Sequence, residues 1–271
     1  MSRFASLIIM TVALAQTGSA ADAADASPLT RAHAHNDYEH KRPLFDALAQ
    51  GFCSVEADVY LVDGKLLVGH TRSSLRPDRT LEALYLEPLK EQIAKNGGRV
   101  YRGGPPFTLF IDIKTNGRQV YAVLRAVLDQ YRELVSRVSD KGSAQRAIDI
   151  VISGDRPFAE IAADKDRHVG IDGRLSDLDS DKPVDLLPVI SDNWRLVFKW
   201  RGVGPMPQAE RDKLRAIVQK AHNRGRRVRF WATPEKPALW QELFDADVDL
   251  FNTDDLPGLA SFLRSAKKSS P

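Results

Sequence analysis

The chain has 271 residues, 43% of them hydrophobic and 28% charged, which supports a packed core and excludes wholesale disorder. Its 39 Lys and Arg nearly balance 36 Asp and Glu, and a formal charge of +3 argues against a nucleic-acid binder held by phosphate neutralisation. A single cysteine excludes both an internal disulfide and a cysteine-ligated zinc cluster.

The first twenty residues read as a secretory signal peptide. Arg3 gives a positive start, the run from Phe4 to Ala15 is apolar, and small residues up to Ala20 suit cleavage. That run is too short to span a bilayer well, and no later stretch approaches the roughly 20 apolar residues a span needs. The mature chain is therefore expected to lack a transmembrane segment and to be secreted or periplasmic, where a buried Cys53 does no harm. Residues 21–28 read as a disordered leader, 29–265 as one domain and 266–271 as a frayed tail.

Within that domain short β-like runs alternate with helical patterns. Strands are expected at 30–35, 54–60, 107–114, 147–153, 168–172, 187–191, 226–232 and 248–253. Helices are expected at 43–50, 80–95, 118–139, 207–224, 237–245 and 256–265, with short or irregular helices near 155–163 and 176–186. The 118–139 pattern is the clearest, with Val120, Val123, Leu124, Val127, Leu128, Tyr131 and Leu134 at helical spacing. Eight strands interleaved with helices point to a closed (β/α)8 TIM barrel of one domain. The segment 71–106 is long enough to form a lid but not a large inserted domain.

Strand parity then selects the residues that carry chemistry. On 54–60, Val55, Ala57 and Val59 share the face that packs on helices, so Glu56 and Asp58 point into the barrel. On 107–114, Ile111 and Ile113 face outward while Asp112 and Lys114 face inward. Inward carboxylates repel and are costly to bury unless a cation joins them. Glu56, Asp58 and Asp112 together suit one hard divalent ion, Mg²⁺ or Ca²⁺, and Lys114 beside them suits an anionic substrate. His33 and His35 share one face of the first strand. Taken singly, a Glu-x-Asp is usually a solvated strand face and a lone His a structural one; their joint placement at strand ends marks a site.

These residues resemble the glycerophosphodiester phosphodiesterase and phosphatidylinositol-specific phospholipase C superfamily. The likeness rests on Glu56-Ala57-Asp58, the hairpin Val62-Asp63-Gly64-Lys65-Leu66, His70 fourteen residues after Glu56, and Asp112-Ile113-Lys114. Arg229-Phe230-Trp231-Ala232 and Asp249-Leu250-Phe251-Asn252-Thr253-Asp254-Asp255 are similar to its last two strands. The opening His33-Ala34-His35-Asn36-Asp37-Tyr38 looks most like a branch that includes the altered inheritance of mitochondria protein. The usual His-Arg-Gly is absent, so its phosphate-binding Arg has no counterpart; Pro43-Leu44-Phe45-Asp46 replaces Pro-Glu-Asn-Thr, and Asp112 stands where many relatives carry Glu.

The resemblance implies a phosphoric diester hydrolase of lipid metabolism acting on a glycerophosphodiester or a phospholipid headgroup. His33 and His70 would be the acid–base pair, His33 being favoured over His35 because it ends the strand-like run and Asn36 follows by three. By its place at a strand end Trp231 either walls the substrate groove or packs at the barrel mouth, and Arg229, which shares its parity, neutralises interior acid or touches phosphate. Two other readings stay open: a catalytically silent barrel that binds a lipid headgroup or a partner, and a zinc amidohydrolase opening with His-x-His. The latter needs further His ligands, whereas His168 begins a strand and His222 lies in a helix, as structural histidines do.

Overall fold

The structure, a computed structural model, describes residues 26–269, so the expected signal peptide and most of the leader lie outside the described residues. β1 (Leu29–Ala34) and β2 (Phe52–Val62) are followed by β3 (Lys65–Val68), which folds back antiparallel on β2. β4 (Phe107–Ile113) comes next, then a surface hairpin of β5 (Arg137–Ser139) and β6 (Gly142–Ala144). β7 (Ile148–Gly154), β8 (Val169–Gly173), β9 (Val189–Asn193), β10 (Arg227–Trp231) and β11 (Leu250–Thr253) complete the set. Among the described residues β1, β2, β4, β7, β8, β9, β10 and β11 pair in parallel in that order, and β11 pairs with β1. The sheet is thus a closed eight-stranded barrel, as the alternation implies, and every expected strand is present.

The helices are α1 (Phe45–Ala49), α2 (Glu87–Lys95), α3 (Gly117–Gln130), α4 (Phe158–Ala163), α5 (Trp194–Val197), α6 (Gln208–His222), α7 (Pro237–Asp245) and α8 (Leu256–Ser269). Three boundaries differ from the sequence expectation. α3 stops at Gln130, because Val135 turns into a bridge with Ile148 and the Asp140-Lys141-Gly142 turn sets up the β5–β6 hairpin. α8 continues to Ser269, past the expected start of the tail. The last leader residues are packed rather than free: Ala26 lies against the core, and a Cβ at Gly51 would stand 2.3 Å from Ser27 O.

Alternation divides the core into two layers. Val55, Ala57, Val59, Ile111 and Ile113 are buried between strands and helices. Phe110, Val151, Val189 and Leu250 point the other way and plug the barrel interior. Full burial of such side chains stabilises the fold by about 1.5–3 kcal/mol each. The plug matters for function, since it is the floor on which the interior polar residues stand. Among the described residues no helix is long and apolar enough to cross a membrane.

Candidate active site

The strand ends at the C-terminal mouth carry the polar side chains, where barrel enzymes hold their chemistry. Parallel pairing of β2 and β4 sets Asp58 directly beside Asp112, with Glu56 one inward position lower, opposite Phe110. Ligand oxygens of Glu56, Asp58 and Asp112 lie within 4.8 Å of one another. Gly154 makes this possible on the β7 side, since a Cβ there would stand 2.5 Å from Asp112 Oδ1. Glu56 Oε2 and Asp58 Oδ1 are buried and accept no hydrogen bond. Orphaned anionic oxygens are expensive, and an all-oxygen set of this size fits a hard divalent cation.

Lys114 Nζ lies 2.8 Å from Asp58 Oδ2 and 3.0 Å from Asp112 Oδ1. Burial lowers the lysine's pKa, but the facing Asp112 and Asp58 carboxylates outweigh it and hold the ammonium charged. Burial raises the pKa of Asp58 despite Lys114 and Tyr38. Glu56 goes the other way: burial raises it, yet His33, Arg229 and His35 facing it bring it well below the carboxylate range.

The two histidines of β1 differ sharply. His33 is fully buried, with Nδ1 2.7 Å from Ser54 Oγ and Nε2 2.9 Å from Arg229 Nη1. Its ring meets Phe110 edge-on at 4.8 Å, so it rests on the plug. Burial, with the Arg229 charge, lowers its pKa to about 4. His35, two residues on, is at the rim with 29% of its side chain exposed. Its Nε2 lies 3.8 Å from Glu56 Oε2 and its Nδ1 2.8 Å from Asp254 Oδ1. Burial lowers the pKa of His35, but the bond to Asp254 and the charge of Glu56 outweigh it and raise it overall. His70, after β3, is 58% exposed and sets Nδ1 3.3 Å from Asp58 Oδ2.

The segment from Asn36 to Tyr38 is a structural bracket for this cluster. Asn36 takes φ 46° and ψ 40°, a left-handed turn that Asn tolerates better than most residues. It sends Asp37 into the core, where the carboxylate accepts hydrogen bonds from Leu44 N and, at 3.0 Å, from Tyr85 Oη. Burial lifts the Asp37 pKa to about 7 against those two bonds. Tyr38 then donates to Asp58 Oδ2 at 2.6 Å and lies 2.8 Å from Asn36 Oδ1. The segment 71–106, long enough for a lid, instead buttresses this turn: Arg79 donates to Tyr38 O and Tyr85 holds Asp37.

Across the barrel, Arg229 of β10 donates to Ser191 Oγ at 3.1 Å and to the buried Asp172 Oδ2 at 3.2 Å, and its guanidinium stands 4.5 Å over the Phe110 ring. It therefore neutralises interior acid. Trp231 closes β10 half-buried, opposite Asn193 of β9. His168 bonds Ser136 O and Asp129, and His222 bonds Asp249, both at the opposite end of the barrel. The structure thus gathers Glu56, Asp58, Asp112, Lys114, His35, His70 and Asn36 at one mouth and sets His33 beneath them. Tyr38, Asp254 and Asp172 join the site beyond the residues that parity and motif single out. Tyr38 and Asp254 lie in quoted motifs at strand ends and were detectable there, whereas nothing local marks Asp172.

A parallel barrel with a three-carboxylate cluster, a neighbouring lysine and two mouth histidines defines a protein of the glycerophosphodiester phosphodiesterase fold. Residues 22–172, more than half of the chain, match the AIM6-like phosphodiesterase domain, and residues 227–257 match the glycerophosphoryl diester phosphodiesterase family. The chain belongs to the AIM6-like phosphodiesterase domain family. It is 30% identical to altered inheritance of mitochondria protein 6 of Eremothecium gossypii, over 88% of this chain and 70% of that protein. It is 28% identical to the homolog from Arthroderma benhamiae, over 83% and 81% respectively. Its fold resembles glycerophosphodiester phosphodiesterases from Parabacteroides distasonis (TM-score 0.51, 16% identity, 89% of this chain and 99% of that one) and Agrobacterium tumefaciens (TM-score 0.52, 17% identity, 88% and 100%).

Proposed function

We propose that this protein is a secreted or periplasmic, metal-dependent phosphoric diester hydrolase acting on a glycerophosphodiester or phospholipid headgroup. The observation that supports the reading best is the pair of orphaned, buried oxygens on Glu56 and Asp58, next to Asp112, Lys114 and two mouth histidines. Glu56, Asp58 and Asp112 would hold one Mg²⁺ or Ca²⁺ ion. When bound, such an ion supplies positive charge to a phosphoryl oxygen as negative charge develops on it.

His35 and His70 divide the proton transfers, one taking a proton from the attacking hydroxyl or water and the other giving one to the leaving alkoxide. His35 takes the place that the first strand's parity also offered to His33, because both His33 nitrogens are bonded and no solvent reaches it. Asp254 keeps His35 protonated to higher pH, which suits the donor role. Lys114 holds a non-bridging phosphate oxygen by a charge-assisted hydrogen bond. Asn36 orients Tyr38 at the metal-binding carboxylate, and Trp231 lines the substrate's approach.

The test is a screen of glycerophosphodiesters and lysophospholipids with Mg²⁺ or Ca²⁺ added. Turnover that His70→Ala abolishes supports the assignment. No turnover of any phosphodiester with either metal overturns it and leaves a headgroup-binding barrel.

A further inference from the structure

Among the described residues the most exposed large hydrophobic side chains are Leu196 (82%), Val203 (71%) and Val184 (46%). Two of the three share one segment, 194–206, which leaves β9 at the same end of the barrel as the carboxylates. That segment carries exposed Arg195, Lys199 and Arg201 and contains no Asp or Glu. Two more cations flank it: Lys213 donates to Val197 O at 2.8 Å, and Lys236 packs on Gly202, where a Cβ would meet its Cδ at 3.0 Å. Glu210 is spent on the segment's own backbone, accepting from Lys199 N at 2.9 Å and Trp200 N at 3.0 Å.

The segment is a built platform. Trp194 stacks on Phe198 at 4.2 Å, and both meet Phe230 of β10 edge-on at 5.5 Å. Trp194 Nε1 donates to Trp200 O at 2.9 Å, and Trp200 Nε1 donates to Val203 O at 3.0 Å. Buried aromatics therefore anchor a segment whose Leu196 and Val203 stand in water, with exposed Arg195 and Lys199 in the same segment. Aliphatic prongs among Lys and Arg without acids match a surface that is apolar beneath and anionic above. A protein groove would have to supply a separate carboxylate for each cation, whereas lipid headgroups supply phosphate at every position.

We infer that segment 194–206 docks this protein on an anionic lipid surface. Leu196 and Val203 enter the headgroup–acyl boundary, and Arg195 and Lys199 meet lipid phosphates, while Arg201 braces the segment by donating to Phe198 O at 2.6 Å, Trp200 O at 3.1 Å and Arg195 O at 3.2 Å. Docking turns the barrel mouth toward the lipid; that the substrate is met there rests on the proposed hydrolase function, while the docking itself does not.

The experiment is co-sedimentation of the chain from Ala21 onward, which contains the whole closed barrel, with phosphatidylcholine vesicles with and without phosphatidylglycerol. Binding is expected only where phosphatidylglycerol is present, and it weakens as salt is raised. Leu196→Asp with Val203→Asp should lower partitioning at least about tenfold, by loss of apolar burial. Arg195→Gln with Lys199→Gln, which keeps the aliphatics, should lower it by about fivefold for each cation removed. Val184→Asp, elsewhere on the surface, should change nothing. Unbound wild type, or both double variants binding like wild type, overturns the inference, as does self-association through the segment without vesicle binding. Absence of phosphodiester turnover in the same preparation counts against the hydrolase reading alone, because partitioning is read without it.

Discussion

Arg229 donates a hydrogen bond to His33 Nε2 at 2.9 Å, and this fixes the state of the histidine. An arginine has no lone pair to offer, so Nε2 accepts, and the ring proton sits on Nδ1 and points to Ser54 Oγ. His33 is therefore neutral, buried between a cation and a hydroxyl. Its expected NMR signature is an Nδ1–H tautomer that takes up a proton only near pH 4. The native pKa is depressed below the unfolded value, so the unfolded chain binds the extra proton first. Stability gained from this group is present above the unfolded pKa of about 6.5 and is lost as pH falls toward 4.

The same geometry separates the effects of the two β1 histidines. His35→Ala is expected to lower kcat by about 10²–10⁴-fold while leaving the melting temperature close to wild type. His33→Ala leaves Arg229 Nη1 and Ser54 Oγ without their partner and should cost about 1–3 kcal/mol of stability. Steady-state kinetics together with denaturant melts on both variants check this. A His33→Ala protein of full stability that has lost its turnover would return the catalytic role to His33.

Asp37 gives a pH dependence of opposite sign. Its native pKa, near 7, lies above the unfolded value, so the folded state favours the protonated carboxyl. That contribution is complete below the unfolded pKa and is lost as pH rises through 7. Asp37→Asn keeps the acceptor for Leu44 N and cannot ionise, so its stability relative to wild type should improve from about pH 4 to about pH 7 and level off above that. Parallel curves for the two proteins would show that Asp37 titrates normally.

Much of this was readable in the sequence, and what was not has a physical reason. All eight barrel strands follow from alternation, and parity alone turned Glu56, Asp58, Asp112 and Lys114 inward. Parity could not say how high each residue stands, because that depends on register between strands. His33 lies level with Ser54, below Asp58, and only the β1–β2 pairing reveals it. The Arg229–Asp172 contact joins positions far apart in the chain, and no local pattern predicts it. The end of α3 is not legible locally because Tyr131 and Leu134 continue its apolar stripe while the chain has already turned.

That buried contact carries its own expectation. Asp172→Ala leaves Arg229 with Glu56 3.8 Å away as its remaining carboxylate and removes one acceptor of Arg174, which keeps its bonds to the Asp172 and Gly173 carbonyls. Breaking a buried pair from one side costs about 3–5 kcal/mol. Urea denaturation should show a loss of that order, and a loss near zero would mean that solvent already screens the pair.

Metal loading should be visible in stability as well as in rate. Without an ion, burial and the neighbouring Glu56 raise the Asp58 pKa above its unfolded value despite Lys114 and Tyr38, so its contribution is largest at low pH and is lost as pH rises. Added Mg²⁺ or Ca²⁺ should raise the melting temperature near pH 7 more than near pH 5, and Asp58→Asn should abolish the increment. A metal-independent melt in wild type would contradict the carboxylate assignment.

The most direct measurement is the initial rate of hydrolysis of the best phosphodiester in the panel, titrated with Mg²⁺ or Ca²⁺, for wild type and Asp58→Asn side by side. The account predicts a saturable metal requirement in wild type, a rate reduced to background by chelation and restored by the ion, and no response in Asp58→Asn. Hydrolysis that survives chelation, or that Asp58→Asn performs at the wild-type rate, would contradict it.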